Sequence, residues 1–393
     1  MNAVFEARLQ AELDDLGAKG LRRSLRGLQG MQDRTVRMGG KAYLNFCSNN
    51  YLGLAADVRL REAAEASLRR SGVGAGASRL VCGTLSEHKA LEKRLAAFKG
   101  AEHCVLFNCG YMANIGIIAS LFGRGDMILS DRLNHASILD GILLSRADFR
   151  RYPHCDMGAL ERLLRQARGR GTTAVITETV FSMDGDVAPL DQIVRLAKQH
   201  DAVVMVDEAH AAGVFGAGGR GAAEHFGCGR DLDVQMGTLS KAFGSFGAYV
   251  CGSFGVMDYI VNRARSFIYT TALPPAVAAA SLKALDIIET EPGLRDALWR
   301  NASRVRGALR EAGFNTLRSA SPIIPVVVGD GIRTRAFSER LMEQGILIAA
   351  IRPPTVPENT ARLRVTVTAS HTPDDLEYLL KTMTRIGKDL CLI

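Results

Sequence analysis

Val203-Val204-Met205-Val206-Asp207-Glu208-Ala209-His210 is a short apolar run that ends in an acid, with a histidine three residues beyond it. A run of this length, rich in β-branched residues, fits a strand buried on both faces. An acid at its end stands where open α/β sheets bind their ligands, outside the carboxyl ends of the strands. There it can face a cationic ligand atom. Taken alone, the segment also fits a helix N-cap or a loop acid. Similar runs lie on both sides: CVLF at 104–107, Met127–Leu129, AVIT at 174–177 and AYVC at 248–251. Between AVIT and VVMV, Leu190–His200 (LDQIVRLAKQH) carries apolar residues at helical spacing. Strands alternating with amphipathic helices predict a largely parallel sheet covered by helices on both faces.

Outward from this core the character changes twice. Residues 1 to about 40 read as helical, with a break at Gly39-Gly40. Beyond Pro274-Pro275, a helix is expected over Ala276–Glu289. Strands are then expected at Ile323–Val328, Ile346–Ala350 and Leu363–Val367, with a closing helix from Thr372 to Leu390. The predicted division is an N-terminal segment over 1–45, a large domain over 46–280 and a small C-terminal domain over 281–393. A chain of 393 residues is long enough for more than one domain.

Composition excludes several classes. Hydrophobic residues are 47% and charged residues 23%, as in ordinary globular proteins. No apolar run approaches the ~20 residues that span a bilayer, and the first twenty residues carry acids without an apolar signal core. A cytoplasmic location and no membrane partner are expected. The eight cysteines are scattered singly with no CxxC pair, so neither a metal site nor a disulfide framework is expected. The net charge is +8, but the arginines are spread along the chain and no nucleic-acid motif accompanies them. That charge favours an acidic small molecule or acidic carrier over nucleic acid.

The second informative segment is GTLSKAFG at 237–244. A single lysine, Lys241, stands among small and hydroxyl residues. Small neighbours let a flat ligand approach the backbone, and hydroxyls such as that of Thr238 can hold phosphate. A desolvated lysine becomes the nucleophilic amine that Schiff-base chemistry requires. With Asp207 upstream to keep a pyridine nitrogen protonated, the pair fits a pyridoxal 5'-phosphate site, in which His210 can bond the phenolic oxygen. Phe107–Asn114 (FNCGYMAN) reads as a strand, a glycine turn at Gly110-Tyr111 and a helix start, a phosphate-binding arrangement. Ser130–Ser137 (SDRLNHAS) places His135 on a polar loop after a strand, where it could stack on the cofactor ring. Thr179–Asp186 (TVFSMDGD) falls at the same sheet edge. GAGGRG at 216–221 matches a dinucleotide fingerprint literally but does not directly follow a strand. GVGAG at 72–76 lacks the lysine of a P-loop and reads as a flexible loop near a substrate entrance.

These motifs, with NFCSNNYLGL at 45–54, SDRLNHASILDG at 130–141, ETVFSMDGD at 178–186, VDEAHAAGVFGAGGRG at 206–221 and GTLSKAFGSFG at 237–247, resemble the α-oxoamine synthases. The resemblance runs from about Leu21 to the C-terminal helix. It implies the type I fold of pyridoxal-phosphate transferases: a mostly parallel seven-stranded sheet flanked by helices, plus a smaller α+β C-terminal domain. It also implies condensation of an amino acid with an acyl thioester, with loss of carbon dioxide. AIRPPTVP at 350–357, TARLR at 360–364 and Leu21-Arg22-Arg23 resemble the biotin-pathway branch, which joins L-alanine to pimeloyl-CoA or a pimeloyl-acyl-carrier protein. NFCSNNYLGLA and TRIGKDL at 384–390 resemble the 2-amino-3-ketobutyrate ligases, which use glycine and acetyl-CoA. The branches of 5-aminolevulinate synthase and serine palmitoyltransferase complete the set.

The resemblance further implies residue roles. Lys241 carries the cofactor, Asp207 pairs with the ring nitrogen, and His135 stacks on the ring and faces substrate. His210 and Ser182 contact ring substituents, and Gly110, Tyr111 and Thr238 place the cofactor. Arg22, Asn50, Thr355 and Arg364 contact substrate, Arg364 as a two-pronged fork on the amino-acid carboxylate. The site is expected at the interface of a homodimer, where Thr270 and Thr271 reach the phosphate of the partner subunit.

Overall fold

The computed structural model describes residues 2–393. Its strands in chain order are β1 (Thr35–Met38), β2 (Lys41–Asn45), β3 (His103–Phe107), β4 (Met127–Asp131), β5 (Asp148–Tyr152), β6 (Thr173–Glu178), β7 (Val203–Asp207), β8 (Val234–Thr238), β9 (Ala248–Gly252), β10 (Ile323–Gly329), β11 (Ile346–Leu347), β12 (Ala349–Ile351) and β13 (Ala361–Thr366). The first helices are α1 (Ala3–Ala18), α2 (Val58–Ser71), α3 (Ser86–Lys99), α4 (Gly110–Leu121) and α5 (Ala136–Ser145).

The central sheet has seven strands in the order β3-β9-β8-β7-β6-β4-β5. Pairings among β5, β4, β6, β7 and β8 are parallel, and only β9 runs antiparallel to its neighbours. Successive residues of the inner strands enter opposite cores. On β6, Val175 joins one hydrophobic cluster while Ala174 and Ile176 join the other. Burial of both faces is why the strands read as continuous apolar runs rather than alternating ones.

The parallel strands finish together at one edge of the sheet. Asp131, Glu178, Asp207 and Thr238 are the last residues of β4, β6, β7 and β8. All four are buried.

The C-terminal region builds its own core around Ile324, Val326, Phe337, Leu363, Val365 and Leu379. Its sheet has the order β10-β13-β12, with both pairings antiparallel. The closing helix spans Pro373–Asp389 and is capped by the Thr372 side chain.

Two expectations change and three elements are additional. Residues 19–45 are not helical: β1 and β2 form a hairpin whose turn is Gly39-Gly40, with φ of 56° and 79°. Two consecutive left-handed residues suit a tight hairpin turn. The expected strand Ile346–Ala350 is two, β11 pairing with β2 and β12 with β13. β5 (DFRRY) and β8 (VQMGT) carried no clear apolar signal. β5 lies at the sheet edge, where its arginines reach solvent. Pro292–Glu311, a helix with no counterpart in the sequence reading, follows Pro275–Thr290 directly.

Candidate active site

At the shared sheet edge Asp207 lies 5% exposed. Its Oδ1 accepts the Ala209 amide at 2.8 Å and its Oδ2 accepts Asn114 Nδ2 at 2.9 Å. Asn114, from α4, also donates to Ser137 Oγ at 2.9 Å, and that hydroxyl is 2.8 Å from His135 Nδ1. His135 is the N-cap of α5. One polar chain therefore fixes the acid of β7 relative to the starts of two helices.

Lys241 Nζ is 2.9 Å from His210 Nε2, and His210 Nδ1 is 2.6 Å from the Tyr51 hydroxyl. Burial lowers the pKa of Lys241 to about 8, against the opposing pull of Asp207 and Glu178. Burial, reinforced by the charges of Lys241 and Arg364, holds His210 well below the usual imidazole range. His210 is therefore neutral. When the Tyr51 phenol donates to Nδ1, the ring proton sits on Nε2 and points at the lone pair of a free Lys241 amine. Glu178 stands in register with Asp207 on the neighbouring strand. Burial, then the Asp207 charge, pushes its pKa up to about 8, and its Oε1 has no hydrogen-bond partner.

Arg364, on β13, is 6% exposed. Its Nε donates to the Ser182 carbonyl at 2.7 Å, and its Nη1 donates to Asn49 Oδ1 at 3.1 Å and Thr366 Oγ1 at 2.9 Å. The expected two-pronged fork is thus largely engaged by protein acceptors. Nη2 bonds none of these acceptors and, with the Tyr51 phenol beside the guanidinium, is the nitrogen left for an outside carboxylate.

The start of α4 is the other open feature. Its N-cap, Cys109, supplies no capping hydrogen bond, so the amides of the first turn lack a side-chain acceptor. Gly110 and Tyr111 open the helix there. Thr238 Oγ1 donates to the Gly247 carbonyl at 2.8 Å. Thr270 and Thr271 border the same turn, where Asn108 Nδ2 donates to Thr270 Oγ1 at 3.1 Å and to the Thr271 carbonyl at 2.8 Å.

Part-buried Lys241, buried Asp207 and neutral His210, with uncapped amides at α4, fit pyridoxal phosphate. They offer an amine, an acid for a ring nitrogen, a neutral hydrogen-bonding ring and an anion site.

Not every predicted residue joins this cluster. Asn50 is 7% exposed and uses its amide internally, accepting from the Ala55 amide at 3.1 Å and donating to the Gln32 carbonyl at 3.3 Å. Its neighbour Asn49 is the one on Arg364. Tyr111 is 46% exposed, with its hydroxyl on Asp140. Arg22 and Thr355 are exposed and make no side-chain hydrogen bond to the Lys241 cluster. Each follows a segment held by the contact of Arg352 with the Gly20 carbonyl. Sequence reading did not single out Tyr51, Asn114, Ser137, Glu178 or Asn49. All lie inside or beside the quoted motifs, but only the fold shows which neighbour in each motif turns inward.

The sequence matches the aminotransferase class I and II family over residues 41–383. It is 53% identical to the 8-amino-7-oxononanoate synthase of Geobacter sulfurreducens, over 98% of this chain and 99% of that one. The fold is similar to that of serine palmitoyltransferase from S. paucimobilis with bound PLP–myriocin aldimine, with a TM-score of 0.93, 32% identity and 98% of both chains covered. It is also similar to 8-amino-7-oxononanoate synthase from Francisella tularensis, with a TM-score of 0.77, 30% identity, and 88% of this chain and 98% of that one covered. The chain belongs to the class I and II aminotransferase family and, within it, to the α-oxoamine synthases that include 8-amino-7-oxononanoate synthase.

Proposed function

We propose that this chain condenses L-alanine with a pimeloyl thioester, releasing carbon dioxide and the thiol of the carrier and forming 8-amino-7-oxononanoate for biotin synthesis. The observation that carries the chemistry is Lys241, a buried amine with its pKa lowered to about 8, beside Asp207 and His210. The choice of substrates is supported by relatives about half identical over nearly the whole chain, such as that of Geobacter sulfurreducens.

Pyridoxal 5'-phosphate, when bound, supplies an electron sink for the charge left on the α-carbon of the amino acid. Lys241 Nζ anchors it and, once displaced, accepts the α-proton of alanine. Asp207, oriented by Asn114 and the Ala209 amide, would hold the ring nitrogen of the cofactor protonated. His135 would lie against the ring of the bound cofactor, and His210 and the Ser182 side chain would reach its substituents. The first-turn amides at Gly110 and Tyr111, with Thr238, receive the phosphate. Arg364 Nη2 holds the alanine carboxylate, with Asn49 setting the plane of the guanidinium. Arg22 and Thr355 lie at the acyl end. The active unit is a homodimer, in which Thr270 and Thr271 reach the phosphate bound by the partner subunit.

The test is turnover with matched substrate pairs. L-Alanine with pimeloyl-CoA is expected to give 8-amino-7-oxononanoate, while glycine with acetyl-CoA gives little product. One methyl separates the amino acids, worth only about 1–3 kcal/mol, so the acyl chain length is the sharper discriminator. Efficient turnover of only glycine and acetyl-CoA would overturn the assignment.

A further inference from the structure

Beside the Lys241 cluster, the same sheet edge carries a second, partly buried charge cluster that the proposed chemistry leaves unused. His154 lies between two carboxylates, with Nδ1 3.0 Å from Asp131 Oδ1 and Nε2 2.6 Å from Asp186 Oδ2. Asp131 is the last residue of β4 and is 1% exposed. It also accepts the Leu133 amide on Oδ1 and the Cys155 amide on Oδ2, both at 2.8 Å. Phe181 packs edge-on against the His154 ring at 4.4 Å between centroids. Cys155 Sγ lies 3.7 Å from His154 Nε2. Asp131, His154 and Cys155 could together hold a metal ion, but both ring nitrogens already face carboxylates and both Asp131 oxygens hold amides. Within the cluster only Asp186 Oδ1 is left without a hydrogen-bond partner.

What the cluster restrains is the loop after β6. That loop begins with the Thr179 amide on the Asp207 carbonyl at 3.0 Å. It closes on itself through Gly185 N to the Phe181 carbonyl at 2.8 Å and Phe181 N to the Asp186 carbonyl at 3.0 Å. Gly185 has φ of 69°, and a Cβ there would meet the Ile323 carbonyl at 2.0 Å, so the loop is pressed against β10. The same loop presents the Ser182 carbonyl that holds Arg364 Nε at 2.7 Å, and its Asp184 pairs with Arg362. Moving the loop therefore shifts one of the three acceptors that orient the guanidinium.

We infer that His154, clamped between Asp131 and Asp186, is a positioning residue for the substrate carboxylate, acting through the 179–187 loop on Arg364. This rests on the reading of Arg364 as the carboxylate-binding residue. Burial opposes a charge on the ring, but the bonds to Asp131 and Asp186 outweigh it and raise the pKa of His154 to about 12. The facing groups are Asp131, Asp186, Asp184, Cys155 and Arg362. Among them the imidazolium is a fixed cation rather than a pH switch.

The test is steady-state kinetics of the holoenzyme, with L-alanine varied at saturating pimeloyl-CoA. His154→Gln is expected to raise KM for alanine about tenfold, with kcat within about threefold and KM for pimeloyl-CoA unchanged. Asp186→Asn, a milder change, is expected to act in the same direction and serves if His154→Gln does not fold. In an Arg364→Lys background, His154→Gln should add less than about twofold, because the group it positions is already altered. If His154→Gln leaves KM for alanine unchanged, or if the two effects multiply independently, His154 does not act through Arg364. If Arg364→Lys alone leaves KM for alanine unchanged, the carboxylate reading fails, and the role of His154 falls with it.

Discussion

Two histidines, His210 buried and His154 half-buried, stand at the carboxyl edge of one sheet and end in opposite protonation states. His210 touches a phenol and an amine, and its nearest charges, on Lys241 and Arg364, are positive. Nothing there compensates burial, so the ring stays neutral. His154 touches two carboxylates directly, and burial loses to them. Burial by itself does not set the state of an imidazole; the identity of the atoms bonded to each ring nitrogen does. The first arrangement supports a free amine beside a neutral ring. The second makes a fixed ionic clamp.

The contrast can be broken most severely at Lys241. Lys241→Ala is expected to lower turnover at least about a thousandfold and to remove the absorbance of bound cofactor near about 420 nm. Product formation and an absorbance spectrum of the purified protein check this. A variant that keeps the band and turns over normally would exclude this lysine.

The clamp is tested by stability. His154→Gln removes the cation from between two carboxylates and is expected to cost about 2–4 kcal/mol in denaturant unfolding near neutral pH. The sign follows from linkage: the folded pKa, about 12, lies above the ordinary imidazole value of 6.5. The stabilisation is complete below pH 6.5 and is lost as pH rises toward 12. The gap between wild type and variant should therefore narrow steadily from neutral to alkaline pH. A gap that widens with pH would contradict a protonated His154.

The smallest effect is expected at Tyr51. Tyr51→Phe leaves His210 Nδ1 unpartnered in a buried site, a cost of about 1 kcal/mol. Because no ionic partner is lost, the cost should be flat between pH 6 and 9, unlike that at His154. Thermal unfolding across that range separates the two clusters.

Much of this was legible in the chain. The strands β3, β4, β6, β7 and β9 announced themselves because burial on both faces demands unbroken apolar runs. Asp207 and Lys241 were visible because an acid at a strand end and a lysine among small residues are both unusual. β8 was not, since Gln235 and Gly237 interrupt its pattern although it is buried between β7 and β9. Asn50 rather than Asn49 was expected on substrate because adjacent residues in a loop carry no periodicity that says which one faces inward.

Sequence by itself determined the fold class and nominated the amine and the acid, because these depend on residue type and short-range pattern. Tertiary structure alone decided the rest. It joined β2 to β11 across some three hundred residues. It placed Tyr51 on His210 and Asn114 on Asp207. It turned Arg364 so that one nitrogen stays open, and it set His154 between Asp131 and Asp186. These contacts link residues far apart in sequence, and hydrogen bonds and burial act over a few ångströms of space rather than along the chain.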